Sequence, residues 1–305
     1  MDIGRFAPTT SGRAHPGTLL SGLLAWLDIR SRGGRLVLRF ENIDPAAQSP
    51  HLTSGLLDDL SWFGLDWDEL VAQSDCLKTH HAALDRLANL GLLYECDCTR
   101  GKVKASGLPS AAGGWVYPGT CRHRKVRDWR ASTSGLRVDL GEFRLDLVDE
   151  GGTDLSQSVA SAMGDPLVRR PDGGVTYQLA VVADDLASGV TRVVRGRDIA
   201  PSTATQAALW DLLGALRPTW RHHPLLLEPH GDKLAKLHQS IAADELRRHY
   251  TPDGLRGFLG YVCGLRDTPS AVTQGQLLAD FSWQRVGRAD RVIAWDGRVL
   301  STPLK

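Results

Sequence analysis

Two short apolar runs, Ile3 to Phe6 and Leu36 to Phe40, flank a segment with the period of a helix. Within that segment Leu19, Leu20, Leu23, Leu24 and Leu27 recur at three- and four-residue steps, which predicts a helix over 18–32 with one buried face, stopped by Gly33-Gly34. Strand, helix and strand in this order build a parallel sheet with helices on its faces. The alternation continues down the chain. Further strands are predicted at Tyr177 to Val182 and Val190 to Val194, and further helices at 52–63, 78–90 and 202–213. The fold class is therefore α/β. Cysteine-bearing residues 96–160, with a strand-like Phe143 to Val148, interrupt the alternation as an insertion between its two halves. Past Lys236 the pattern turns helical, at 243–249, 252–265 and 273–281.

Composition sets outer bounds. The chain has 305 residues, 42% hydrophobic and 23% charged, enough to build about two ordinary cores. It contains no apolar run of about 18 residues and no basic-apolar leader, so no membrane span or signal peptide is expected and the cytoplasm is the expected compartment. A formal charge of only +1 means that any nucleic-acid surface must be a local basic patch. Arg122, Arg124, Lys125, Arg127 and Arg130 form one candidate, and Arg217, Arg221, Arg247 and Arg248 another.

Between the first strand and the first helix lies a loop of small residues that ends in His15-Pro16-Gly17-Thr18. A helix N-terminus offers unpaired N–H groups and a partial positive charge, so it favours phosphates, and a histidine one turn away can reach a phosphate oxygen. Gly17 would allow close approach of a ligand to the backbone. Arg5, Glu41 and Tyr177 fall at or beside predicted strand ends, where parallel sheets hold ligands. Arg5 can pair with a carboxylate and Glu41 with an ammonium group, which together would grip a free amino acid at both ends.

The five cysteines are too few for a disulfide scaffold in a chain of this length. Cys96-Asp97-Cys98 and Cys121 instead place three thiols within a short span, a spacing that suggests zinc and would pin a segment too small to build its own core. From ligand preference alone His123 is the fourth donor, imidazole being a far commoner zinc ligand than phenolate. Cys76 and Cys263 stand alone and read as structural.

Four segments in order, His15 to Thr18, Leu36 to Pro45, Tyr177 to Asp198 and Gly231 to Lys236, resemble the class I glutamyl-tRNA synthetases over nearly the whole chain. His15-Pro16-Gly17-Thr18 stands where that family has its HIGH signature. Lys233-Leu234-Ala235-Lys236-Leu237 stands where it has its KMSKS loop, with Ala235 in place of the usual Ser. Arg197 and Asn42 replace a usual Glu and Asp. The resemblance implies a class I nucleotide-binding, Rossmann-like parallel sheet in two halves, 1–95 and 161–232, with a zinc-binding insertion at 96–160 and a helical region with the KMSKS-like loop at 233–305.

It also implies roles. Arg5, Phe6, Ala7, Pro8, Thr9, Glu41, Tyr177 and Arg195 would hold L-glutamate; His15, Gly17, Lys233 and Lys236 would bind ATP with its Mg2+, with His15, Gly17 and Lys236 catalytic. One Zn2+ per chain would sit on Cys96, Cys98, Tyr117 and Cys121, so that the family points to Tyr117 where ligand preference points to His123. The chain leaves no room for the family's anticodon-binding region. It thus resembles the shorter branch, monomers that attach glutamate to the queuosine base in the anticodon stem-loop of tRNA(Asp). Weighed beside that reading are a truncated enzyme charging tRNA(Glu), a catalytically inactive RNA-binding paralogue, and a small-molecule adenylyltransferase.

Overall fold

The computed structural model describes residues 1–44, 47–231 and 241–303. Contacts divide the chain into two compact units, one made of Met1–Ala72, Thr191–Arg197 and Trp220 onward, the other of Gln73–Val190 and Asp198–Thr219. Numbered in chain order, the first unit opens with β1 (Ile3–Phe6), α1 (Pro16–Arg30), β2 (Arg35–Phe40), α2 (Pro50–Phe63) and β3 (Glu69–Ala72). The second carries α3 (Leu77–Asn89), β4 (Leu93–Cys96), α4 (Arg100–Ser106), β5 (Gly135–Val138), β6 (Arg144–Leu145), β7 (Gln157–Ser158), α5 (Val159–Ala162), β8 (Leu167–Arg169), α6 (Tyr177–Ala187) and α7 (Thr203–Leu212). To the first unit return β9 (Arg192–Gly196), β10 (Thr219–His223), β11 (Leu226–Leu227), α8 (Ala243–Leu246), α9 (Pro252–Val262), α10 (Gln274–Ala279), β12 (Arg291–Val292), β13 (Ala294–Trp295) and β14 (Leu300–Ser301).

The first unit is built on a five-stranded sheet in the order β10-β9-β1-β2-β3. Strand β1 pairs in parallel with β2, from Ile3 opposite Arg35 to Phe6 opposite Leu38, and also with β9; β2 pairs in parallel with β3. The strand–helix–strand reading of the first forty residues therefore holds. What differs is the exposure of α1: Leu19, Leu20 and the run Gly22 to Ile29 are all buried, so the helix is enclosed on nearly every side where a single buried face is expected. The leucine stripe marks only part of its apolar surface, because Trp26, Ala25 and Ile29 fill the rest. The turn after α1 needs Gly34, where a Cβ would lie 2.6 Å from the backbone oxygen of Asp2. Asp28, buried in α1, accepts from Arg192 of β9 at 2.8 and 3.1 Å and from the Trp283 indole at 2.7 Å.

In the second unit an antiparallel sheet, β4-β5-β8, carries the cysteine segment, while α3 packs on α6 and α6 on α7. Buried Asp184 of α6 bonds His80 Nε2 of α3 at 2.8 Å and accepts from Gln73 Nε2, just before α3, at 2.7 Å. Tyr177 to Val182, expected as a strand, is the start of helix α6. Residues 179–185 are buried without interruption, and the apolar run Leu179 to Ala183 inside a buried helix looks the same in sequence as a buried strand. Phe143 to Val148 is strand only over Arg144–Leu145, and the helix expected at 243–249 is the single turn Ala243–Leu246. The C-terminal region also holds short strands, β11 pairing with β12 and β13 with β14, beside its helices. Among the described residues no helix is long and apolar enough to cross a membrane.

Candidate functional site

His15 is the N-cap of α1. Its backbone is extended, Pro16 supplies the preset φ of the first helical position, and its ring Nδ1 accepts from the N–H groups of Gly17 at 3.1 Å and Thr18 at 3.3 Å. The next N–H, of Leu19, bonds the His15 carbonyl at 3.0 Å. Pro16 has no N–H to offer. The first turn thus contains no orphan donors, and an anion here would not meet the backbone groups that the sequence pattern suggests. The geometry substitutes the ring: with Nδ1 an acceptor, the proton of the neutral imidazole sits on Nε2. Gly17 serves this arrangement directly, since a Cβ at position 17 would lie 2.9 Å from His15 Cε1 and 3.1 Å from Nδ1.

Arg5 to Thr9 and Glu41 sit together at the ends of β1 and β2. Thr9 bridges Glu41 in parallel, and the Glu41 N–H donates to the Pro8 carbonyl at 3.1 Å, so the two loops leave the sheet side by side. Buried Arg5 reaches across β1 to donate to the Val194 carbonyl of β9 at 3.3 Å. Arg195, one residue on, is also buried, and its Nε donates to Nε2 of His222 on β10 at 3.0 Å. Arg39, fully buried, stands 3.6 Å from the Glu41 carboxylate. Residues i and i+2 of a strand share one face, so Arg39 was open to discovery from the alternation alone. His222 was not: nothing in a histidine pair 27 residues from Arg195 marks it as a neighbour. Tyr177 belongs to the other unit, where it opens α6, and so is not at a strand end. Lys233 and Lys236 lie outside the described residues.

The sulfurs of Cys96, Cys98 and Cys121 lie within 4.8 Å of one another. Cys98 and Cys121 are 3.7 Å apart, close to the roughly 3.8 Å that two thiolates span on a tetrahedral ion with bonds of about 2.3 Å. The Tyr117 hydroxyl is 3.4 Å from Cys96 Sγ and accepts from the Cys121 N–H at 2.9 Å, whereas His123 is exposed and no His, Asp or Glu joins the sulfur cluster among the described residues. Burial pushes the Cys96 thiol up, but bonds from Tyr117, the Cys98 backbone and Arg137 outweigh it and hold the thiol below its ordinary value. Burial and the two neighbouring sulfurs push Cys98 up to about 11. Three sulfurs this close together are a donor set suited to a dication, whose charge would offset that of thiolate ligands. Around them Arg137 Nε donates to Cys96 Sγ at 3.3 Å and its guanidinium stacks on the Tyr117 ring at 3.7 Å, while buried Asp165 accepts from Tyr94 at 2.6 Å and Arg122 at 3.0 Å.

The two expected basic patches are largely neutralised. Arg124 pairs with Asp97, Lys125 with Asp139, Arg130 with Asp85, Arg217 with Asp211, Arg247 with Asp58 and Arg248 with Glu245. A count of basic residues along the sequence misses these partners because most lie far away in it.

Comparison with known proteins matches residues 3–133 and 150–266 to the catalytic domain of class I tRNA synthetases (E and Q). The chain is 40% identical over 307 residues to the glutamyl-Q tRNA(Asp) synthetase of Symbiobacterium thermophilum, with 94% of each chain covered. To that of Nocardia farcinica it is 38% identical over 304 residues, covering 96% of this chain and 94% of the relative. The crystal structure of a glutamate tRNA ligase from Elizabethkingia meningosepticum in complex with its amino acid superposes with a TM-score of 0.79 at 20% identity, over 95% of this chain and 66% of that longer one, a likeness of fold.

Proposed function

The chain belongs to the class I tRNA synthetases (E and Q), and from that premise we propose that it activates L-glutamate with ATP and transfers it to the queuosine base in the anticodon stem-loop of tRNA(Asp). The observation that supports the activation step is His15 capping the head of α1, its ring oriented by two backbone donors to Nδ1. Identity of 40% along 94% of a glutamyl-Q tRNA(Asp) synthetase supports the choice of acceptor.

In the first step a carboxylate oxygen of glutamate attacks the α-phosphorus of ATP. The new O–P bond forms as the bond to the bridging oxygen breaks, and pyrophosphate leaves. No side chain becomes covalently attached, so the protein acts by positioning and by stabilising charge on the phosphate oxygens. His15 and Lys236 supply that stabilisation, Gly17 leaves room for the His15 ring, and Lys233 adds charge to the nucleotide site. Magnesium comes with the ATP, held by phosphates and water. Arg5, Phe6, Ala7, Pro8, Thr9, Glu41, Tyr177 and Arg195 hold glutamate, with arginine on carboxylate and Glu41 on the ammonium group. In the second step a hydroxyl oxygen of the modified base attacks the acyl carbon and AMP leaves with the bonding pair.

Cys96, Cys98, Cys121 and the Tyr117 hydroxyl hold one Zn2+, which when bound braces the insertion spanning 96–160 within the catalytic domain and takes no part in the reaction. The protein acts as a cytoplasmic monomer.

The test is transfer of labelled glutamate, with ATP and magnesium, to tRNA(Asp) with queuosine, to tRNA(Asp) without it, and to tRNA(Glu). Label confined to the first pool is expected. Label on tRNA(Glu) makes the chain a compact conventional synthetase, and no label from folded protein sinks the enzymatic reading.

A further inference from the structure

Asp59, in the middle of α2, is a carboxylate with no solvent exposure and four donors. Arg13 supplies two, Nε at 2.9 Å and Nη2 at 2.5 Å; the Ala14 N–H donates at 2.9 Å; Arg247 Nη2 donates at 3.0 Å. Burying an unpaired carboxylate is costly, so this constellation is held together by its own chemistry. Its neighbours are shaped for it. A Cβ at Gly55, one turn earlier on α2, would lie 3.2 Å from Arg13 Cδ, and the Arg247 guanidinium rests 5.0 Å over the Trp62 ring. Exposed Asp58 balances the second positive charge, accepting from Arg247 Nη1 at 2.8 Å.

What these groups hold is the residue before His15. Ala14 is wholly buried, and both of its backbone polar groups are used: the N–H on Asp59, and the carbonyl on the Ala243 N–H at 2.7 Å. Ala243 opens α8, and Arg247 is the cap residue at its other end. Two links therefore run in parallel from the His15 loop to α8, one through the backbone of Ala14 and one through the Asp59 carboxylate. Helix α8 follows in the chain directly after the segment that contains Lys233 and Lys236.

We infer that Asp59 is a positioning residue for the nucleotide, holding the His15 loop and α8 in one fixed relation so that His15 keeps its place in the ATP site. The inference rests on the reading of His15 as a phosphate contact. It assigns Asp59 no contact with substrate. Its effect should fall on ATP and spare glutamate, because Arg5, Glu41 and Arg195 are held by other partners.

The test is calorimetric titration of the full chain with magnesium–ATP, alongside glutamate-dependent pyrophosphate exchange, for wild type, Arg247→Met, Arg247→Lys and Asp59→Asn. Arg247→Met removes the carboxylate link to α8 and leaves the Ala14–Ala243 backbone link in place, with Asp59 still paired with Arg13 and Ala14, so the fold is expected to survive if Asp59→Asn does not. It should weaken ATP about tenfold, in line with the sensitivity of positioned sites to small displacements, and leave the glutamate KM within about twofold. Arg247→Lys keeps the charge and should recover most of the loss. Unchanged ATP affinity in Arg247→Met, or an equal rise in both constants, overturns the inference. A wild type that binds ATP but gives no exchange with glutamate sinks the proposed function alone, and one that binds no ATP sinks both.

Discussion

His15 carries two tasks that a single substitution can separate. Its Nδ1 caps α1, and an N-cap of this kind contributes about 1 kcal/mol, while the proposed function gives the rest of the ring a phosphate to meet. His15→Ala loses both, so stability should drop by about that amount and pyrophosphate exchange by about 100-fold. His15→Ser restores a capping oxygen without restoring the ring. Its melting temperature should return towards wild type while exchange stays depressed; recovery of exchange in the serine variant would show that the cap alone matters. Gly17→Ala belongs to the same experiment, since its Cβ would strike the ring at 2.9 Å and push it off both donors. The tripeptide was legible from the sequence because histidine, proline and glycine are neighbours just before a helix; that the histidine caps the helix, which begins at Pro16, was seen only in the structure. The reason for the glycine was not legible either, since sequence suggested that it admitted a ligand and the structure fills the place with the His15 ring.

Among elements, the segment from β4 to β5 is the one that gathers the three thiols. Around the three sulfurs the buried side chains are Tyr94, Val103 and Tyr117 with the cysteines, and a metal bound there is expected to hold this part of the chain. Chelation should open this segment to protease, and Cys121→Ser should do the same without chelator. Tyr117→Phe tests the fourth donor: with the hydroxyl as ligand, zinc affinity measured by competition with a chromogenic chelator should fall at least about tenfold, whereas a loss seen in His123→Ala and not in Tyr117→Phe would assign the site to the imidazole. Cysteine spacing made the cluster visible in the sequence. The misplaced element, α6, shows the opposite situation: Leu179 to Ala183 is apolar and buried without interruption, and periodicity carries no information where no polar residue alternates with the apolar ones.

At the scale of the whole chain, distant segments are fastened by buried charge. Asp28 of α1 holds Arg192 of β9 and Trp283 near the C-terminal strands. Asp28→Ala would leave Arg192 buried without its partner carboxylate, and a loss of about 3 kcal/mol is expected in denaturant unfolding; a change below about 1 kcal/mol would mean that water or Asp2 takes over the charge. The sequence by itself determined the parallel α/β pattern of the opening residues, the His15-Pro16-Gly17 step before the first helix and the three clustered thiols, because each is written in residues a few positions apart whose periodicity or spacing is imposed by the backbone. Only the tertiary structure decided that Arg195 leans on His222, that Asp59 ties Arg13 to Arg247, and that the basic runs are paired with acids. Those pairings join ordinary polar residues across long stretches of chain, where no local repeat records them and the low dielectric of the interior selects the partner.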